Sequence, residues 1–120
     1  MASLTAKLQL SGSNLTSDAL SISVTDVLTV TNPTIPVARL SIATGSYQSL
    51  IASNAAHSYV YIKNISGTAS TDYVELKFGA TLIAKLRVGE YLFLPLTSAL
   101  AITAQATGNA CIMEYGYWSI

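Results

Sequence analysis

One histidine, one cysteine and six carboxylic acids carry the acid, base and nucleophilic chemistry open to this chain of 120 residues. A Ser/His/Asp relay needs an imidazole base, and only His57 can supply one; no Gly-x-Ser-x-Gly elbow accompanies it. His57 therefore reads as a surface or strand-edge imidazole. Cys111 lies beside Ile112 and Met113 with no cation next to it, which describes a buried structural thiol, since a reactive thiolate needs nearby positive charge. A single cysteine excludes an internal disulfide, and a single histidine excludes Cys₂His₂ and His₃ zinc sites. Glu75, Glu90 and Glu114 sit on separate segments and could converge as the paired carboxylates of glycoside hydrolysis do, but nothing in their spacing requires it. Glu90 reads as an exposed acid in a Gly89-Glu90 turn, and Glu114 as an ion-pair partner for Arg39, Arg87 or another chain. Asp26 interrupts an apolar column and its nearest acid is Asp18, so a turn or bulge between two shorter strands is favoured over a catalytic pair. Glycine patterns that cradle phosphate are absent. The expectation is a protein without enzymatic activity, with no catalytic or metal-ligating residues and no cofactor.

The elements that would position these residues read as strands. Val, Ile, Thr and Tyr are abundant and Glu and Lys scarce. Leu4, Ala6, Leu8 and Leu10 alternate with Thr5, Lys7 and Gln9, and Leu20, Ile22, Val24, Leu28 and Val30 share one parity. Pro33 and Pro36 take the chain out of any sheet before Ala38, Leu40 and Ile42 resume the alternation. Residues 46–57 read as a short helical turn or a loop. Tyr59 to Ile65 and Tyr73 to Phe78, joined by Ser66-Gly67-Thr68-Ala69-Ser70-Thr71-Asp72, form the best hairpin in the chain. Strands at Thr81 to Val88, Tyr91 to Leu94, Leu100 to Ala106 and Cys111 to Trp118 complete the set. Nine or ten short strands in so short a chain predict one all-β domain over residues 1–120, two packed antiparallel sheets forming a β-sandwich or jelly roll.

Composition limits what such a domain can do. Six basic and six acidic residues cancel, and only 10% of the chain is charged. A typical domain carries about 25%, so part of this surface is expected to be covered by other protein. Without a basic patch, nucleic-acid binding is not expected. Residues 91–113 are uncharged and long enough to span a bilayer, yet Pro95, Gly108, Asn109 and several Thr and Ser interrupt them, so no membrane segment is expected. The start, Met1-Ala2-Ser3-Leu4, shows no export or myristoylation signal, which leaves the sequons at Asn14 and Asn64 without an expected glycan. In Tyr59-Val60-Tyr61-Ile62 the tyrosines have the parity opposite to the aliphatics, so a core on the aliphatic side turns them outward. Tyr59, Tyr61, Tyr115, Tyr117 and Trp118 are the candidate interface residues, with Leu4 and Leu8 on an amino-terminal strand that could pair at an edge.

Three segments carry a resemblance: Ser58-Tyr59-Val60-Tyr61-Ile62-Lys63-Asn64-Ile65-Ser66-Gly67-Thr68, Tyr73-Val74-Glu75-Leu76-Lys77-Phe78-Gly79, and Leu86-Arg87-Val88-Gly89-Glu90-Tyr91-Leu92-Phe93-Leu94-Pro95-Leu96. Together they resemble small all-β virion proteins of tailed bacteriophages. The resemblance implies a capsid decoration or cement protein, assembled in the host cytoplasm, that binds the major capsid protein and bridges its subunits. A trimer suits the three-fold positions of such a shell. Alternatives are a tail, neck or head-fibre subunit of the virion and a carbohydrate-binding jelly roll.

Overall fold

A computed structural model describes residues 2–14, 20–30, 37–53, 58–96 and 100–119. His57 and Asp18 lie outside them. Ten strands and no helix are found among the described residues, which is the all-β architecture expected. Contacts divide the chain, expected to be one domain, into two compact units, residues 1–32 and residues 33–120.

The first unit is a two-stranded ribbon. β1 (Ala2–Gly12) pairs antiparallel with β2 (Leu20–Val30) in a single unbroken register from Ala2↔Val30 to Gly12↔Leu20. The expected turn or bulge at Asp26 does not occur. Asp26 stands opposite Ala6 in the ladder, and because no residue is inserted, parity is kept on both sides of it. One face therefore carries Leu4, Ala6, Leu8 and Leu10 against Leu28, Asp26, Val24 and Ile22; the other carries Thr5, Lys7 and Gln9 with Val27, Thr25 and Ser23.

The second unit is an eight-stranded sandwich: β3 (Ala38–Ile42), β4 (Gln48–Ile51), β5 (Tyr59–Ser66), β6 (Tyr73–Phe78), β7 (Thr81–Arg87), β8 (Tyr91–Pro95), β9 (Ile102–Thr107) and β10 (Cys111–Trp118). One sheet has the order β3-β10-β5-β8 and the other β4-β9-β6-β7, every pairing antiparallel. That connectivity is a jelly roll. Successive strands change sheets at every step except β6 to β7, which turn tightly at Gly79, whose φ of 64° suits a residue without Cβ.

Two local expectations are corrected by this topology. β5 and β6 are not a hairpin. β5 pairs with β10 and β8, while β6 pairs with β7 and β9. Val60 and Ile62 on β5, and Val74, Leu76 and Phe78 on β6, are all buried in one core cluster, so the strands meet through side chains across the sandwich. The stretch 46–57 contains a strand, β4, which pairs with β9; a register shift between Ser49 and Ile51 lets the consecutive Leu50 and Ile51 both be buried. The core also holds Ile42, Ile102 and Met113, each fully buried and worth about 1.5–3 kcal/mol of apolar transfer.

Candidate functional site

The outward faces of the two sheets differ in chemistry. On β4-β9-β6-β7 the outward rings lie under cations: Lys77 Nζ lies 4.1 Å from the centre of the Tyr47 ring, Lys85 Nζ 3.9 Å from that of Tyr73, and the Tyr47 hydroxyl donates to Glu75 at 3.1 Å, while Leu82 and Ile83 on β7 are exposed aliphatics. Tyr47 and Tyr73 are thus each covered by a lysine. Among the described residues no cation lies over an outward ring of β3-β10-β5-β8.

That second face is built by strand parity. β5 buries Val60, Ile62 and Asn64, which turns Tyr59, Tyr61 and Lys63 outward, as the sequence predicts for the tyrosines. β8 adds Tyr91 and Phe93, 59% and 37% exposed, opposite Lys63 and Tyr61. The Tyr59 and Phe93 rings lie 6.1 Å apart, with their planes within 6° of parallel. From β10 come Glu114 and Trp118. Gly116 lies between them, opposite Tyr61; a Cβ there would come within 3.2 Å of both Trp118 Cη2 and Val37 Cγ2. A glycine at this point lets the indole and Val37 settle onto the strand.

Glu114 is the polar centre of the face. The Tyr61 hydroxyl donates to its Oε1 at 3.0 Å, Arg39 Nε donates to its Oε2 at 3.3 Å, and Arg39 Nη2 completes an ion pair at 3.3 Å. Glu114 also lies in register between Arg39 on β3 and Lys63 on β5. Burial, together with the hydrogen bond to and the charge of Glu114, raises the Tyr61 phenol to about 12, so it remains a neutral donor at physiological pH. Beside this centre, a register shift between Ile112 and Met113 opens a cleft of about 630 Å³ lined by Arg39, Leu40, Ser41, Ile65, Ser66 and Ile112.

Of the residues singled out in the sequence, the structure brings Tyr59, Tyr61 and Trp118 onto one face. Tyr115 and Tyr117 have the opposite parity on β10 and pack against the core, so they do not belong to that face. Leu4 and Leu8 lie on the ribbon. Phe93, Tyr91 and Gly116 are not among the sequence candidates, whereas the pairing of Glu114 with Arg39 is one of those the sequence offers; the alternation of Tyr91 and Phe93 with Leu92 and Leu94 is the available signal for the first two. The three glutamates do not converge. Glu75 is held by Tyr47, Glu90 accepts from the Arg87 N–H at 2.7 Å, and Glu114 pairs with Arg39. Cys111 is buried, and burial pushes its thiol up, away from the thiolate form. Among the described residues no group of three His, Cys, Asp or Glu side chains could hold a metal ion, and no helix is long and apolar enough to cross a membrane.

No protein-family model matches the chain, and no curated protein or solved structure shows significant similarity to it.

Proposed function

We propose that this protein is a non-enzymatic structural component of a virion, a capsid decoration or cement protein that docks on a shell-forming protein through the outer face of the β3-β10-β5-β8 sheet. The observation that carries the reading is the grouping of rings on one sheet: Tyr59, Tyr61, Phe93, Tyr91 and Trp118 surround one ion pair, whereas Tyr47 and Tyr73 on the other sheet each lie under a lysine. Tyr and Trp combine large apolar area with a hydrogen-bonding tip, the composition of protein interfaces. Jelly rolls recur in viral capsid proteins and lectins, and the three segments that resemble tailed-phage virion proteins favour the first of these. Contacts that are weak singly become strong when symmetry repeats them, because a copy held by one neighbour meets the next at high effective concentration. Reinforcement by burial of apolar area then requires no chemistry.

The test is incorporation. Tyr61→Asp places a second carboxylate against Glu114 and should abolish binding to capsids while leaving a folded protein with an unchanged amide NMR fingerprint away from the face. Normal incorporation of that variant contradicts the docking face. A second reading is favoured by one observation, the nearly parallel Tyr59 and Phe93 rings beside the Arg39–Glu114 pair, which together could stack and hydrogen-bond a sugar. A glycan array probed with the wild-type protein separates the two: specific binding lost in Tyr59→Ala supports the sugar platform, and an array without a binder removes it.

A further inference from the structure

The ribbon presents a second apolar surface whose chemistry states what can cover it. Leu8, Leu10, Ile22 and Val24 are 42–54% exposed on one face of β1 and β2, and an isolated two-stranded hairpin is marginally stable in water. In the middle of this face stands Asp26. It is exposed, flanked along β2 by Val24 and Leu28, set opposite the small Ala6, and in diagonal reach of Leu4 and Leu8. No ion pair to Asp26 forms among the described residues, and Lys7, the ribbon's cation, lies on the opposite face.

We infer that Asp26 bars this face from a second copy of the chain and reserves it for an apolar strand or ribbon of another protein that carries a Lys or Arg at its middle. The charge excludes the second copy as the occupant: packing the faces of two copies together buries two Asp26 carboxylates, each against apolar side chains or the partner's Ala6, while the Lys7 of each ribbon lies on its opposite face. A buried charge without a partner opposes the apolar gain of that contact. A partner that brings a cation removes the penalty and gains a charge-assisted contact, so the acid selects the partner as well as excluding the wrong one.

The inference concerns the ribbon alone and does not rest on the sandwich face, so a Tyr61→Asp background should leave every outcome below unchanged. The full-length chain with Asp26→Lys serves as the probe, since it offers the same apolar face with a cation at its middle. In ¹⁵N-edited NMR at high concentration, wild type alone and Asp26→Lys alone should show no concentration-dependent shifts at Leu8, Leu10, Ile22 or Val24. Their equimolar mixture should show such shifts, and these should weaken as salt is added. Asp26→Asn, which keeps the shape and removes the charge, should increase self-association of the ribbon over wild type. A mixture indistinguishable from its components, self-association of the wild type through the ribbon, or no change in Asp26→Asn would each overturn the inference.

Discussion

The side-chain amide of Asn64 on β5 donates to the backbone carbonyl of Leu86 on β7 at 3.1 Å, a hydrogen bond that joins the two sheets of the sandwich. Backbone bonds continue the tie, from the Gly89 N–H to the Asn64 carbonyl at 2.7 Å and from the Asn64 N–H to the Glu90 carbonyl at 3.0 Å. Residue 64 therefore holds the crossover that carries the chain from β7 to β8, and β8 supplies Tyr91 and Phe93 to the aromatic face. Both Asn64 and the hydrogen bond are fully buried.

Asn64→Ala should lower stability by about 1–3 kcal/mol, since it leaves the Leu86 carbonyl without this donor and opens a small cavity. The loss stays at the lower end because Asn64 Oδ1 has no partner among the described residues, and removing it relieves a desolvation cost. Urea unfolding followed by fluorescence measures the change. Amide exchange should accelerate first at residues 86–90, the segment the side chain holds.

Gly108→Ala should be more costly, about 2–4 kcal/mol. Its φ of 94° disfavours any side chain, and a Cβ there would run into Asp72 Oδ1. Asp72 joins two crossovers between the sheets: its Oδ2 accepts the Ala69 N–H at 2.8 Å, and Asn109 Nδ2 donates to Oδ1 at 3.2 Å. The Ala69 N–H, helped by the Asn109 amide and opposed by burial, holds the Asp72 carboxyl below its ordinary value of 3.8. A depressed carboxylate contributes stability that is present above 3.8 and lost as pH falls through the folded-state value. Thermal unfolding should therefore show a loss of stability on acidification below the ordinary carboxylate range, and Asp72→Asn should flatten it.

The phenol of Tyr61 should ionise well above the ordinary tyrosine value of 10.0. Burial first, then the hydrogen bond to Glu114 and its charge, raise it from 10.0 to about 12. A raised phenol favours the folded state fully below pH 10 and loses that contribution as pH rises from about 10 to about 12. Absorbance titration of the wild type against Tyr61→Phe should assign a transition near 12 to this residue, and Glu114→Gln should move that transition down. An unmoved transition would show that Glu114 does not hold the phenol.

The candidate face was legible in part. Tyr59 and Tyr61 were placed outward because Val60 and Ile62 alternate with them, and parity within a strand is a local property. The same logic on β10 separates Trp118 from Tyr115 and Tyr117, but grouping by residue type put all three together. Asp26 shows the converse: a polar residue in an apolar column looks like a break, and only pairing with Ala6 shows the column running through it.

Alternation and turn residues were enough to establish an all-β chain of about ten strands, because these depend on neighbours a few residues apart. Which strands pair is decided by tertiary structure. Ser66 to Asp72 reads as a hairpin turn but is a crossover, because β10 and β8 satisfy the backbone of β5 from both sides. The sheet partners of β5 come from residues about 30 to 60 positions away in the chain, and that long-range pairing brings Arg39, Tyr61, Phe93 and Glu114 onto one surface.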